Sequence, residues 1–239
     1  MYNFRTDLAC ERRDIYKKVN GLEEIDGIET EQKGEKIKIN TVKATNENGQ
    51  QAIGKPIGTY ITIDIKNFKI ADEDKIQQAS EVVTEELKKL IDKHSAKTDD
   101  ILVVGLGNRF VTPDSLGPKV ITDIEITRHL LKYAPQYLEP DTRPVSAVSP
   151  GVLGTTGIET FEIVKGIVDN VKPKLLIVID ALASRSIERI SSTIQIADTG
   201  IVPGSGVENA RKTLNKESLG VPVIALGIPT VVDLRNNNR

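Results

Sequence analysis

The chain has no tryptophan, one cysteine, one methionine and two histidines in 239 residues. Each scarcity removes a class of function. A single cysteine, Cys10, excludes an internal disulfide framework and fits a reducing compartment, so a cytoplasmic location is expected. His94 and His129 stand far apart in polar helical contexts, from which a zinc site of two or three histidines is hard to build. Neither has the loop setting of a catalytic histidine in a Ser-His-Asp or Cys-His machine. No metal and no cofactor is therefore expected, and any chemistry falls to Asp, Glu, Ser, Lys or backbone groups. Aromatic residues make up only 4%, too few for a base-stacking surface. The formal net charge of -2 is not that of a protein coating nucleic acid, so no direct nucleic-acid partner is expected. No apolar run approaches the ~20 residues of a membrane span, and no charged segment followed by an apolar stretch marks a secretory signal. No membrane partner follows.

What is present is an ordinary globular composition, 38% hydrophobic and 28% charged, long enough to build a core without metal or disulfide staples. Residues 1–20 are polar and mixed in charge. From 21 to 70 the pattern is β-like: Glu35–Val42 and Thr59–Ile65 alternate with period two, as half-buried strands do. Asn46-Glu47-Asn48-Gly49 between them reads as a turn. Asp72-Glu73-Asp74 opens a helix, with Ile76, Ala79, Val82, Val83, Leu87, Leu90 and Ile91 on one face. Beyond it, Ile101–Val104, Leu175–Ile179 and Val221–Leu226 are continuous apolar runs, the signature of strands buried on both faces. Helical patterns at about Leu116–Leu131 and Gly157–Val171 alternate with them. The expectation is a single α/β domain over 1–239: a three-layer, mostly parallel sheet with helices on both faces in 71–233, an N-terminal antiparallel β elaboration in 21–70, and an irregular tail at 234–239.

In such a sheet, functional groups gather beyond the carboxyl ends of the strands. Three segments qualify: Gly105–Pro118, Asp180–Ser186 and Gly227–Thr230. Gly105 and Gly107 match the first two glycines of a dinucleotide fingerprint, but Phe110 occupies the third position, so a nucleotide site is not favoured. Two carboxylates carry more. Asp114 stands between Pro113 and a helix start, and Asp180 closes an apolar strand where a charge has no structural welcome. If their strands are neighbours, both enter one crevice. Two such carboxylates can divide into an acid and a base, activate a water on a peptide carbonyl and protonate the leaving nitrogen. The plainer alternatives are a helix cap for Asp114, and a turn cap or an ion pair with Arg185 for Asp180. Ser115 with Lys119 forms a weaker dyad candidate. Cys10 lies in a charged, mobile-looking segment. Ser149–Gly157 is either a turn with an N-cap or a wall of backbone donors for an oxyanion, and Gly200–Gly206 reads as a lid.

These residues also carry a resemblance. Phe4–Ala9, Gly105–Asn108, Thr112–Pro118, Ser149–Gly157, Val178–Arg185 and Pro203–Asn209 resemble the germination proteases of spore-forming bacteria, peptidase family A25, over nearly the whole chain to Asp233. The resemblance implies an endopeptidase that begins the degradation of small acid-soluble spore proteins in the spore core. It implies a fold like that of hydrogenase maturation proteases and a homotetramer made as a self-processing zymogen, with 1–20 as propeptide region and flank. The family's two catalytic aspartates fall on Asp114 and Asp180. Asn108, Arg109 and Arg185 become substrate-binding candidates, the arginines as bidentate partners for an acidic residue before the cut. Thr6-Asp7-Leu8-Ala9 then reads as an autoprocessing site, cut between Asp7 and Leu8. The family continues well beyond the Pro-Thr-Val-Val-Asp segment, which leaves open what further residues contribute. The alternatives are a metal-dependent hydrogenase-maturation-type protease and a non-enzymatic binding module of the same fold.

Overall fold

The structure, a computed structural model, describes residues 6–203 and 212–232. The chain divides into two compact units, one formed by Met1–Glu86, Leu182–Ala197 and Gly227–Arg239, the other by Leu87–Ala181 and Asp198–Leu226.

The first unit is built on antiparallel strands. Strands β1 (Ile28–Lys33), β2 (Ile37–Ala44), β3 (Gly58–Ile65) and β7 (Thr193–Ala197) pair in that order, each antiparallel to the next. Strand β2 buries Ile37 and Ile39 on one face, as the period-two pattern predicts, and then Val42 and Ala44 on the other, so both faces of the strand are covered in part. Helix α1 (Ala9–Asn20) packs against β2, β3 and helix α2 (Glu47–Ile53). The turn expected at Asn46–Gly49 is instead the start of α2: the Asn46 side chain accepts from Gly49 N at 2.9 Å. Asparagine serves turns and N-caps for the same reason, its short side chain reaching a nearby N–H.

The second unit is parallel at its centre. Strand β4 (Ile101–Gly105) pairs in parallel with β5 (Val145–Val148) on one side and β6 (Leu175–Ser184) on the other. Leu102, Val104, Leu176 and Val178 meet Val164 and Val168 of helix α7 (Thr160–Val171) in the core. The fold is α/β, a mixed sheet with helices, as the apolar runs and helical spacings imply. Two expected boundaries move. The helix expected over Leu116–Leu131 is two, α4 (Leu116–Asp123) and α5 (Arg128–Tyr133), because the Thr127 hydroxyl ties the chain between them to Arg143 O and Val145 N. Gly227–Thr230, expected as a loop, continues strand β8 (Val223–Val232).

One close approach positions everything near the end of β4. Gly117, in the first turn of α4, lies so near the ends of β4 and β6 that a Cβ there would stand 2.3 Å from Leu106 O and 2.6 Å from Ile179 O. Those are backbone atoms of a paired sheet and cannot turn aside. Replacing Gly117 by Ala is expected to cost about 2 kcal/mol or more, in the range of overpacked cores. Urea denaturation checks it; an unchanged midpoint would mean that the helix slides away freely.

Candidate active site

Strands β4 and β6 are parallel neighbours in register, Gly105 opposite Ile179. Leu106 N donates to Ile179 O at 2.8 Å, extending the ladder by one residue. Asp180 follows Ile179, so it stands level with the loop that leaves β4. Asp114 lies three residues before Gly117, the residue held against both strand ends. The condition set by the sequence, neighbouring strands, is met. The two aspartates belong to the same end of one parallel strand pair.

Each carboxylate is tethered differently. Asp114 closes a single 3-10 turn, Thr112–Asp114, and is half-buried. Its Oδ2 accepts from Asn108 N at 2.8 Å. Asn108 also shapes the loop: its Oδ1 accepts from Phe110 N at 3.0 Å, and its carbonyl accepts from Val111 N at 3.1 Å. Gly107 makes this knot possible. Its φ is +111°, and a Cβ would lie 2.1 Å from Asp114 O, so no residue with a side chain fits there. Of the two glycines that matched a nucleotide fingerprint, Gly107 serves close packing against Asp114 and Gly105 close packing against Gly117 of α4. Asp180 is 6% exposed, and its Oδ1 accepts from Ala181 N at 2.9 Å. It stands inside β6 rather than at its end, since the strand runs on to Ser184. A carboxylate is costly in such an apolar strand unless its oxygens are hydrogen-bonded.

Beside this loop is a cleft of about 220 Å³ between residues 107–110 and 149–155, floored by α4. Asn108 and Arg109 both line it. Arg109 is exposed, and so is Phe110 at 83%. Gly151 lines the opposite wall with φ +77°, so the segment expected as turn or donor wall forms one side of this cleft. The Ser-Lys candidate does not assemble as a nucleophile: Ser115 is buried and its hydroxyl donates to Thr112 O at 2.9 Å. His94 sits 3.5 Å from Asp198, which also holds Lys93 at 2.8 Å. His129 is exposed on α5. Among the described residues no group of three or more His, Cys, Asp or Glu could hold a metal ion, and no helix is long and apolar enough to cross a membrane. The expected lid at Gly200–Gly206 lies partly outside the described residues, as does much of the Pro203–Asn209 motif.

The remaining candidates lie in the first unit. Residues 6–11, read from sequence as mobile, are buried throughout, with Leu8 and Ala9 at 0% exposure. The segment is stitched to β6 and β7. Asp7 N donates to Ala183 O at 2.9 Å, and Ala183 N donates to Asp7 Oδ2 at 2.8 Å. Gln195 on β7 grips the chain from the other side: its Oε1 accepts from Ala9 N at 2.7 Å, and its Nε2 donates to Asp7 O at 2.9 Å. Ala9 N is an orphan donor at the start of α1, whose N-cap Leu8 has no side chain to satisfy it. Glu11 accepts from the Thr6 hydroxyl and from Arg185 N, and pairs with Arg189 at 3.2 Å. Arg189 also reaches Asp64 at 2.6 Å. The Arg185 side chain is exposed. Cys10 is buried beside this cluster, and burial pushes its thiol above its ordinary pKa despite the Arg189 charge. Sequence reasoning passed over Glu11, Arg189 and Gln195. None carried a usable signal: in Thr193-Ile194-Gln195-Ile196-Ala197 the alternation makes Gln195 read as a solvent-facing strand residue, whereas all five residues are buried.

A carboxylate pair at the end of a parallel strand pair, beside a side-chain-sized cleft, suits peptide hydrolysis, and comparison with known proteins gives the class as a peptidase. The family model of the germination proteases, Peptidase_A25, matches residues 6–236. The chain is 53% identical over 235 residues to the germination protease of Clostridium perfringens strain ATCC 13124, covering 98% of this chain and 71% of that one. It is 54% identical over 230 residues to that of Caldanaerobacter subterraneus subsp. tengcongensis, covering 96% and 69%. For Priestia megaterium the figures are 49% over 238 residues, 97% and 64%. A NiFe hydrogenase maturation protease from Thermococcus kodakarensis KOD1 is similar in structure over 60% of this chain and 80% of its own, at 21% identity and a TM-score of 0.37. The chain belongs to the germination protease family.

The N-terminal stitching has a measurable electrostatic consequence. Lys55 follows Gly54 at the end of α2, with its ammonium 5.7 Å from the centre of the Tyr60 ring. Burial, helped by Arg12 and opposed by Asp7, pushes its pKa down to about 8. The unfolded chain keeps a lysine near 10.4. Between these values the folded state binds fewer protons, so Lys55 makes stability rise with pH; below about 8 both states are protonated and the cost of the buried charge is constant. Lys55→Met is expected to be more stable than the parent at pH 7, with the difference shrinking from pH 8 to 10. Urea midpoints at each pH test this; a difference independent of pH refutes it.

Proposed function

We propose that this chain is a self-processing endopeptidase of germinating spores, acting on small acid-soluble spore proteins in the spore core, with Asp114 and Asp180 as its acid and base. The observation that carries the reading is the placement of both aspartates at one end of the parallel pair β4 and β6. One ionised carboxylate takes a proton from a shared water as the water oxygen attacks the peptide carbonyl. The other, protonated, delivers its proton to the nitrogen as the carbon–nitrogen bond breaks. Tethering of Asp114 by Asn108 fixes where that carboxylate can reach, which is the geometric demand of acid–base catalysis. Arg109 and Arg185, exposed guanidinium groups, are the partners proposed for an acidic side chain before the cut. The working form is proposed to be a homotetramer. Family membership favours this reading over a metal-dependent maturation protease or a binding module.

The proposed self-cleavage falls between Asp7 and Leu8. Support comes from the sequence Thr6-Asp7-Leu8-Ala9, an acidic residue followed by an apolar and a small one. The intact bond is folded in between Ala183 and Gln195, so conversion requires this segment to leave its slot first.

Asp114→Asn and Asp180→Asn keep shape while removing an acid or base. Each is expected to lower the peptidase rate by about 10²–10⁴-fold with an unchanged circular dichroism spectrum. A folded Asp180→Asn variant with full activity would falsify the dyad. For processing, Gln195→Leu leaves Ala9 N and Asp7 O without their partner. At about 1–3 kcal/mol for unmet groups, conversion is expected to quicken roughly 5- to 150-fold. Mass spectrometry of the product should find a new terminus at Leu8; any other terminus rejects the assignment.

A further inference from the structure

The proposed cut makes two charges from one neutral amide. One water is consumed. Its oxygen joins the Asp7 carbonyl carbon as a carboxylate, and both its protons end on the Leu8 nitrogen as an ammonium. The Asp7 side is released with residues 1–7. The Leu8 ammonium stays at the start of α1, where a cation is badly placed. Leu8 is 0% exposed and is the N-cap of α1, at the positive end of the helix dipole. Burial and dipole both disfavour the charged form. With nothing to answer the charge, α1 would shed its first turn, and with it the bond from Ala9 N to Gln195 Oε1.

An acceptor is already in place. Glu11 is the third residue of α1, the position from which a capping-box glutamate reaches back to the N-cap N–H. Here one hydroxyl interrupts that contact. Leu8 N donates to Thr6 Oγ1 at 3.1 Å, and the same hydroxyl donates to Glu11 Oε2. Thr6 lies on the far side of the cut. The carboxylate does not depend on Thr6 for its position: Oε2 also accepts from Arg185 N at 2.9 Å, and Oε1 pairs with Arg189 at 3.2 Å. All of these residues belong to one compact unit. Loss of residues 1–7 removes the hydroxyl and leaves a buried, oriented carboxylate facing the nitrogen that has just become charged.

We propose that Glu11 is the docking site of the new chain terminus: in the cut chain the Leu8 ammonium takes the place of the Thr6 hydroxyl on Oε2 and completes the capping box as an ion pair. The proposal rests on self-cleavage between Asp7 and Leu8. The other charged or titratable groups around this place are Cys10 and Arg12 of α1, Asp64 of β3, and Arg185 and Arg189. Arg12 donates to the carbonyls of Thr6, Ile53 and Gly54, and the Arg185 side chain is exposed. Within the cluster two carboxylates, Glu11 and Asp64, share the one Arg189 guanidinium. One positive charge is lacking, and the ammonium supplies it. The pair then holds α1, and through Glu11 the Arg185 backbone, where they stood before the cut.

The full chain is converted and its terminus read by mass spectrometry. The pKa of the Leu8 α-amine is then measured from the pH dependence of its trace acetylation by acetic anhydride, in the wild type and in Glu11→Gln, which keeps an oxygen for Arg185 N. A free α-amine titrates at about 7.7–8.0. An opposite charge raises that value, and burial without one lowers it. The wild-type amine is expected at least about one unit above the free value, and the Glu11→Gln amine at or below it. A second measurement needs no variant: an aminopeptidase is expected to leave Leu8 in place on the folded, converted enzyme and to remove it from the denatured chain. Absence of conversion, or a terminus other than Leu8, overturns the self-cleavage reading and this pairing with it. A Leu8 terminus that titrates like a free amine in the wild type, or that is trimmed from the folded enzyme, overturns the pairing alone. A raised value that persists in Glu11→Gln overturns the assignment to Glu11.

Discussion

The contact on which the candidate site depends is steric and involves no charge. The backbone of Gly117 rests against Leu106 and Ile179, and a facing glycine, Gly105, leaves space for Gly117 O, which would stand 2.3 Å from a Cβ placed there. A helix can come this close to two strand ends only where both surfaces lack side chains. The 3-10 turn that precedes the helix is thereby carried to the level of Asp180. The ladder bond from Leu106 to Ile179 fixes the same level from the strand side. Two carboxylates, distant in sequence, become neighbours of one strand end because three glycines concede space.

How much of this could be read beforehand followed from how each segment is buried. Strands β4, β6 and the start of β8 announced themselves, because burial on both faces demands unbroken apolar runs. Strand β1, Ile-Glu-Thr-Glu-Gln-Lys, did not: only Ile28 is even partly covered, so neither period nor propensity marks it. Helix α1 was hidden by its charges, since only Ala9, Cys10 and Glu11 of its residues are buried and a stripe that short is not periodic. Asp180 was legible because a charge inside an apolar strand is expensive. The cleft was not, because three separate segments build it and no one of them has a distinctive spacing.

The buried polar cluster of the first unit shows a different kind of silence. Glu11, Arg189, Asp64 and Gln195 look in sequence like ordinary solvated residues. In the fold they are the means by which a polar terminal segment is held against strands that would otherwise offer unpaired groups. Gln195 replaces a helix cap and a strand partner at once. Asp7 lends its carboxylate to Ala183 N, where a β-ladder would supply a carbonyl. Such substitutions of side chain for backbone satisfy the same accounting of donors and acceptors while leaving no pattern in the sequence.

On the proposed self-cleavage, this arrangement would make the Asp7–Leu8 bond a clock. Any protease must take its substrate in extended form, so the bond can be cut only in the fraction of molecules whose first helical turn and flanking residues have opened locally. When opening and closing are fast relative to cutting, the observed rate is the cutting rate multiplied by that fraction. Each 1.4 kcal/mol held in the stitching slows it tenfold. If the chain is cut there as proposed, the delay between synthesis and cleavage is written in Gln195, Glu11 and Ala183 rather than in the chemistry of the peptide bond, and it is set by how tightly the first residues are folded.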